Sequence, residues 1–368
     1  MRPVLSRPSR RAPLPVWTAA LAVLALPSSP LAAQDAKEMM AGFIDANATE
    51  YGEVAQEIWE LAEVGYMETQ SSAALQALLT DAGFEVTPGV AGIPTAFVAS
   101  WGEGGPVIGI LGEYDALPGI NQSRSPERDP VPGKMAGHAC GHHLFGTGSV
   151  AAAVAVKEWL QESGQPGTFR VYGTPAEEGG AGKVYLVRDG LFDDVDAVLH
   201  WHAGSANSAN ASSSLANKSA KFRFYGQSAH AAGAPWRGRS ALDGVEAMND
   251  MVNMLREHVT PASRIHYVIT SGGSAPNVLP DYAEVYYYVR HPDSEEVRRL
   301  FDRVVKTAEG AALGTETRME YEVIHGIYAV LPNEPLARAM DASLRTVGGV
   351  DYTAEERAFA QAIQATFD

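Results

Sequence analysis

The chain has 368 residues, a formal net charge of −16 and 46% hydrophobic residues. That length exceeds what a single hydrophobic core usually fills, so two domains are expected, and the apolar content excludes global disorder. The acidic balance argues against nucleic acid or an anionic membrane as partner, and any anionic substrate must meet a local basic patch.

In chain order, Arg2, Arg7, Arg10 and Arg11 precede an apolar run over 16–26, followed by Pro27 and small residues ending at Ala32 and Ala33. This is the layout of a secretory signal peptide over residues 1–33, too short to remain as a membrane span. It predicts a periplasmic or secreted protein. Cys140 is the only cysteine, so no internal disulfide is possible. Residues 36–82 carry apolar positions at helical spacing, including Ile58, Leu61, Leu75 and Leu79. Short strands are expected at 84–86 and 95–100. The run 107–111, VIGIL, reads as a strand buried on both faces. A helix over 142–162 and strands at 168–173 and 196–201 complete an alternating pattern, which implies a doubly wound α/β sheet.

The character changes at the Ser/Asn/Ala-rich stretch 207–219. Beyond it the pattern reads as strand 219–226, helix 240–258, strands 264–272 and 279–290, helix 294–312 and strand 316–324. This βαββαβ order predicts a small inserted α+β domain. The expected division is 36–215 and 328–368 for a catalytic domain on a mixed sheet, interrupted by 216–327.

Ligands of open α/β sheets bind beyond the carboxyl ends of the strands. There the sequence places GEYDALP after 107–111, TPAEEGG after 168–173, and His200-Trp201-His202 at the end of 196–201. The stretch GHACGHHLFG, 137–146, feeds a helix N-terminus on the same edge. Cys140 and His142 are close enough to bind one metal centre or a bridged pair. In extended chain, neighbouring side chains point oppositely, so Glu177 and Glu178 are expected to divide the work, one ligating and one moving protons. The same alternation puts His200 and His202 on one face. Ligands plus a free carboxylate are what a hydrolytic metal site needs. A thiol nucleophile with His142 as its base is disfavoured by their proximity in the chain.

The segments GEYDALPG, GHACGHHLFG, TPAEEGGAGK, DAVLHWH, SAHAA, GRSALD and SAPNVLPD occur in the order found in the metal-dependent aminoacylase/carboxypeptidase amidohydrolases, which the chain resembles from residue 36 onward. The resemblance implies a catalytic domain holding two divalent ions, Zn or Mn, with the inserted domain acting as a lid that dimerises. It implies hydrolysis of the amide between an aromatic acyl group and an amino acid, p-aminobenzoyl-glutamate being the type. Cys140, His142, Glu178 and His202 match the metal ligands, Glu177 the general base, and Asp115 the acid that orients the site. His230 matches a lid histidine that reaches a partner's active site, Asn277 a substrate-contacting asparagine, and Arg239 a basic position near substrate carboxylates. A homodimer, or a heterodimer with a related subunit, is implied. Alternatives are a broader N-acyl-amino-acid amidohydrolase or dipeptidase, and a non-catalytic subunit of a paired complex. His143 stands where relatives carry Asp or Asn. The family's last histidine ligand has no counterpart after His325, so the sequence is expected to be a piece of a longer protein.

Overall fold

A computed structural model describes residues 30–367. The expected export segment lies outside the described residues, except for its last four, which open the first helix.

The first half of the chain builds helices α1 (Pro30–Ala46), α2 (Ala48–Leu61) and α3 (Thr69–Asp81), then strands β1 (Glu85–Pro88), β2 (Phe97–Glu103) and β3 (Val107–Gly112). The short strands β4 (Leu117–Pro118) and β5 (Ala136–Gly137) pair with each other before α4 (His142–Ser163). Strand β6 (Gly167–Gly173), helix α5 (Gly182–Arg188) and strand β7 (Ala197–Leu199) follow. The sheet order is β1-β2-β6-β3-β7. Strand β3 runs parallel to β6 and β7, whereas β2 is antiparallel to β1 and β6. The sheet is therefore mixed, as expected.

The VIGIL strand lies inside the sheet, between β6 and β7, and both its faces are apolar. Ile110 packs with Phe97, Val171, Leu75, Leu79, Val150 and Val154 under α2, α3 and α4. Leu111 faces the opposite way, with Tyr172, Ile93 and Leu186 of α5. Helices thus cover both faces, and each fully buried side chain of this kind contributes about 1.5–3 kcal/mol.

The second half forms β8 (Ala216–Tyr225), α6 (Ala241–Leu255), β9 (Arg264–Ser271), β10 (Tyr282–His291), α7 (Ser294–Thr315) and β11 (Arg318–Ile327). These give a four-stranded antiparallel sheet in the order β11-β8-β10-β9. The βαββαβ order is the expected one. Phe222, Phe224, Val285, Tyr287 and Val289 pack against Val245, Met248 and Val252 of α6 and Leu300, Phe301 and Val304 of α7. Both helices begin where the sequence provides a cap: Ser240 accepts from the Asp243 N–H and Asp293 from the Glu295 N–H. Helices α8 (Glu334–Val347) and α9 (Ala354–Gln364) complete the described chain, the latter opened by a Thr353/Glu356 capping box.

Strand β7 is shorter than expected and ends at Leu199, which leaves His200, Trp201 and His202 in irregular chain. Because β3, β6 and β7 are parallel, the segments after them emerge on one edge of the sheet. Helix α4 starts at that edge from Gly141, whose φ of 82° is the left-handed conformation glycine adopts without strain.

Candidate metal centre

Three residues beyond β3, Asp115 is buried and bonds in two directions. Its Oδ1 accepts from His142 Nδ1 at 2.9 Å, and its Oδ2 accepts from the Glu178 backbone N–H at 2.9 Å. Since Oδ1 can only accept, the His142 proton sits on Nδ1 and the Nε2 lone pair faces away from Asp115. One carboxylate therefore fixes both an imidazole tautomer and the loop that carries the glutamates.

That loop is pinned residue by residue. The Thr174 N–H and Oγ1 donate to Gly112 O, the Ala176 N–H donates to buried Glu68, and His325 Nδ1 lies 3.0 Å from Gly179 O. Ala176 has φ 57°, so the segment is a turn and the strand alternation expected for Glu177 and Glu178 does not apply. Both carboxylates instead face His142, each with an oxygen 3.8 Å from Nε2. They differ in exposure, with side chains 38% accessible for Glu177 and 18% for Glu178.

On the other side of His142, Cys140 Sγ lies 3.3 Å from His202 Nε2. Cys140, His142 and His202 bring ligand atoms within 4.8 Å of one another, as do His142, Glu177 and Glu178. The two sets share His142. All the expected ligands thus gather at one place, with Glu177 and Asp115 beside them.

The donors fit divalent cations. His142 Nε2 and Glu178 Oε1 are buried without a hydrogen-bond partner, a costly condition that a cation between them removes. Burial would lower the His142 pKa, but the Asp115 hydrogen bond and the charges of Asp115, Glu113 and Glu177 raise it above the ordinary value. Burial and the Glu177 charge raise that of Glu178. Burial and the Glu178 carboxylate push the Cys140 thiol up to about 12. A nucleophilic thiolate needs the opposite, an electropositive setting, so this environment suits a sulfur ligated to a metal.

Three further residues, Glu113, Lys183 and His200, belong to the cluster, and none is among the expected site residues. Glu113 is 1% exposed, its Oε1 accepting from Lys183 and lying 3.2 Å from His200 Nε2. Burial favours the neutral acid, yet the His200 hydrogen bond and the Lys183 charge lower its pKa to about 2. A signal for Glu113 exists in the sequence, since it precedes Asp115 by two positions, the same spacing that places His200 with His202. His200 does join the cluster, while Trp201 turns away to pack on Phe145 and donate to Ser149.

His138 and His143 stand apart as neighbours, their rings 5.1 Å apart, with His138 Nε2 on Ile58 O. His230 and Asn277 lie on exposed loops of the second sheet, joined by a bridge between His230 and Val278 and by Ala231 N–H donating to Asn277 O. Arg239 is nearby through its bridge to Gln227, and its guanidinium is engaged by Glu316 at 2.5 Å. No contact within the chain brings these three to the cluster among the described residues.

Residues 109–366 match Peptidase family M20/M25/M40. The chain is 47% identical over 326 residues to a p-aminobenzoyl-glutamate hydrolase subunit of Escherichia coli, covering 88% of this chain and 68% of that one. The chain belongs to the M20/M25/M40 peptidase family. It is a metallo-amidohydrolase of that family, and the fold agrees. An aminobenzoyl-glutamate utilization protein of Klebsiella pneumoniae superposes with a TM-score of 0.64 at 19% identity, covering 89% of this chain and 90% of that one. A dinuclear metal-binding M20-family peptidase of Bacillus subtilis superposes with a TM-score of 0.56 at 19% identity, covering 84% and 83%.

Proposed function

We propose that this chain hydrolyses the amide between an aromatic acyl group and an amino acid, p-aminobenzoyl-glutamate being the favoured substrate. The identity to the Escherichia coli protein supports the substrate class. The observation that carries the chemistry is the convergence of partnerless, buried His142 Nε2 and Glu178 Oε1 beside Cys140 and His202. Cys140, His142, Glu178 and His202 would hold two divalent ions, Zn or Mn. Such ions supply charge that polarises a carbonyl and makes water more acidic.

The protein groups do the rest. Asp115 holds His142 in the tautomer that leaves Nε2, on the side of Glu177 and Glu178, free to ligate. Glu177, the more open carboxylate of the pair, takes a proton from attacking water and returns it to the leaving amine. His230, exposed on the second sheet with Asn277, serves the site of a dimer partner, in keeping with a relative that is itself named as one subunit of an enzyme. The inserted sheet acts as the lid and the partner is a related subunit. Residues 1–33 direct export.

The test is turnover of p-aminobenzoyl-glutamate by the metal-loaded protein, alone and with a related subunit, against hippurate and dipeptides. Glu177→Gln should lower kcat by roughly 10²–10⁴-fold with metal content unchanged. Loss of metal in that variant would make Glu177 a ligand.

A further inference from the structure

We propose that Glu113 is itself a ligand of this centre, its Oε2 and His142 Nε2 binding the same divalent cation while Lys183 and His200 hold its Oε1. This rests on the metal-centre reading above and adds a donor to it.

His142 Nδ1 carries the proton, because Asp115 Oδ1 can only accept it. Nε2 of the neutral ring is then an acceptor, and it faces Glu113 Oε2 at 3.3 Å. Both atoms are buried, on side chains 0% and 1% exposed, and neither has a hydrogen-bond partner. Two acceptors at this distance repel unless something positive lies between them. A proton on Nε2 satisfies one contact at most, yet Glu178 Oε1, also buried and partnerless, points at the same nitrogen from 3.8 Å. One cation satisfies all three.

The spacing agrees. Nitrogen and oxygen donors bound at ~2.0–2.2 Å to a tetrahedral centre lie about 3.3–3.6 Å apart. The other oxygen of Glu113 is already committed, since Oε1 takes both Lys183 and His200. That anchoring leaves the side chain no freedom to swing Oε2 away. Helix α4 packs closely on the main chain at this residue: a Cβ on Gly146 would stand 2.8 Å from the Glu113 carbonyl oxygen. Lys183 and His200 are positioning residues in this scheme, acting through Glu113.

The experiment is calorimetric titration of the metal-stripped full chain with Mn²⁺, and absorption spectroscopy of the Co²⁺-loaded protein. Glu113→Gln keeps the shape, and should weaken binding of one cation by about 10- to 100-fold and shift the Co²⁺ bands. Glu113→Asp keeps the charge but shortens the reach, and should give the same band shift with a smaller loss. It carries the test if the glutamine variant does not fold by circular dichroism. Lys183→Met should weaken binding less than Glu113→Gln. Cys140→Ser is the control for the wider reading. If it loses metal while both Glu113 variants keep wild-type affinity and spectrum, Glu113 is not a ligand. If Cys140→Ser also binds normally, the metal-centre reading itself fails.

Discussion

Asp115→Asn isolates the residue on which the geometry of the centre turns. The aspartate accepts from His142 Nδ1 and from the Glu178 N–H, one with each oxygen. Asparagine offers one oxygen and one NH₂ in the same outline. If its oxygen stays on Glu178, the NH₂ faces Nδ1–H, and the ring must move its proton to Nε2, which removes the lone pair a cation needs. If its oxygen stays on His142, two donors meet at Glu178 and its half-buried N–H loses its partner, at a cost of about 1 kcal/mol. Both arrangements weaken the centre. Partners that orient metal ligands are typically worth 10–100-fold in affinity, or about 1.4–2.7 kcal/mol. Calorimetric titration of wild type and Asp115→Asn with Mn²⁺ at pH 7.5 measures this directly. Thermal unfolding of the metal-free proteins should show the variant less stable as well. An affinity within twofold of wild type would refute the tautomer argument, because no placement of the amide satisfies both contacts.

Three other outcomes follow from the same geometry. Cation affinity should rise with pH through the neutral range, because His142 must shed a proton that its carboxylate neighbours hold more tightly than usual; titrations at pH 6, 7 and 8 that gave one affinity would remove His142 from the ligand set. His138 and His143, each lowered to about 4 by burial first and then by neighbouring histidines, stay neutral in the folded chain while the unfolded chain protonates below ~6.5. Their penalty is therefore absent above pH ~6.5 and complete below ~4, and urea unfolding of metal-free His143→Asn should lose about 1–3 kcal/mol less stability than wild type over that window. Gly146→Ala puts a Cβ 2.8 Å from both the Glu113 carbonyl oxygen and Leu75 Cδ1, so it should destabilise by about 1–3 kcal/mol and reduce cation affinity, read by thermal unfolding and calorimetry.

Much of this arrangement was legible in the chain because it depends on period and order. The apolar run at 107–111 announced an interior strand, since a strand covered on both faces calls for consecutive apolar or glycine positions. Strand ends then gave the acids and imidazoles, and parallel strands put them on one edge. What local pattern could not give is backbone that leaves the regular regions. The left-handed Ala176 turns Glu177 and Glu178 to the same side, against the alternation of an extended segment. Lys183 was missed for a related reason: it lies in the first turn of α5, and its pairing with Glu113 spans 70 residues of sequence. His325 carried no motif, yet it is buried in β11, its Nδ1 2.9 Å from Ser219 Oγ and its Nε2 2.9 Å from Asn217 Nδ2.

His325 also bears on how the centre tolerates its own charge. Glu113, Asp115, Glu177 and Glu178 surround one imidazole, and among the described residues Lys183 is the lysine or arginine paired with them. Like charges about 4 Å apart repel by roughly 4 kcal/mol at an effective dielectric constant near 20. The loop carrying two of these carboxylates should therefore spring outward unless its backbone is held. It is held at the Ala176 N–H by Glu68, at the Glu178 N–H by Asp115, and at the Gly179 carbonyl by His325 from the second sheet. Burial lowers the His325 pKa, so the ring stays neutral and adds no charge of its own to the crowded rim. All three holds act on main-chain atoms. They fix the glutamates against mutual repulsion without occupying their carboxylate oxygens, and Glu178 Oε1 and Glu113 Oε2 remain buried and open to a cation.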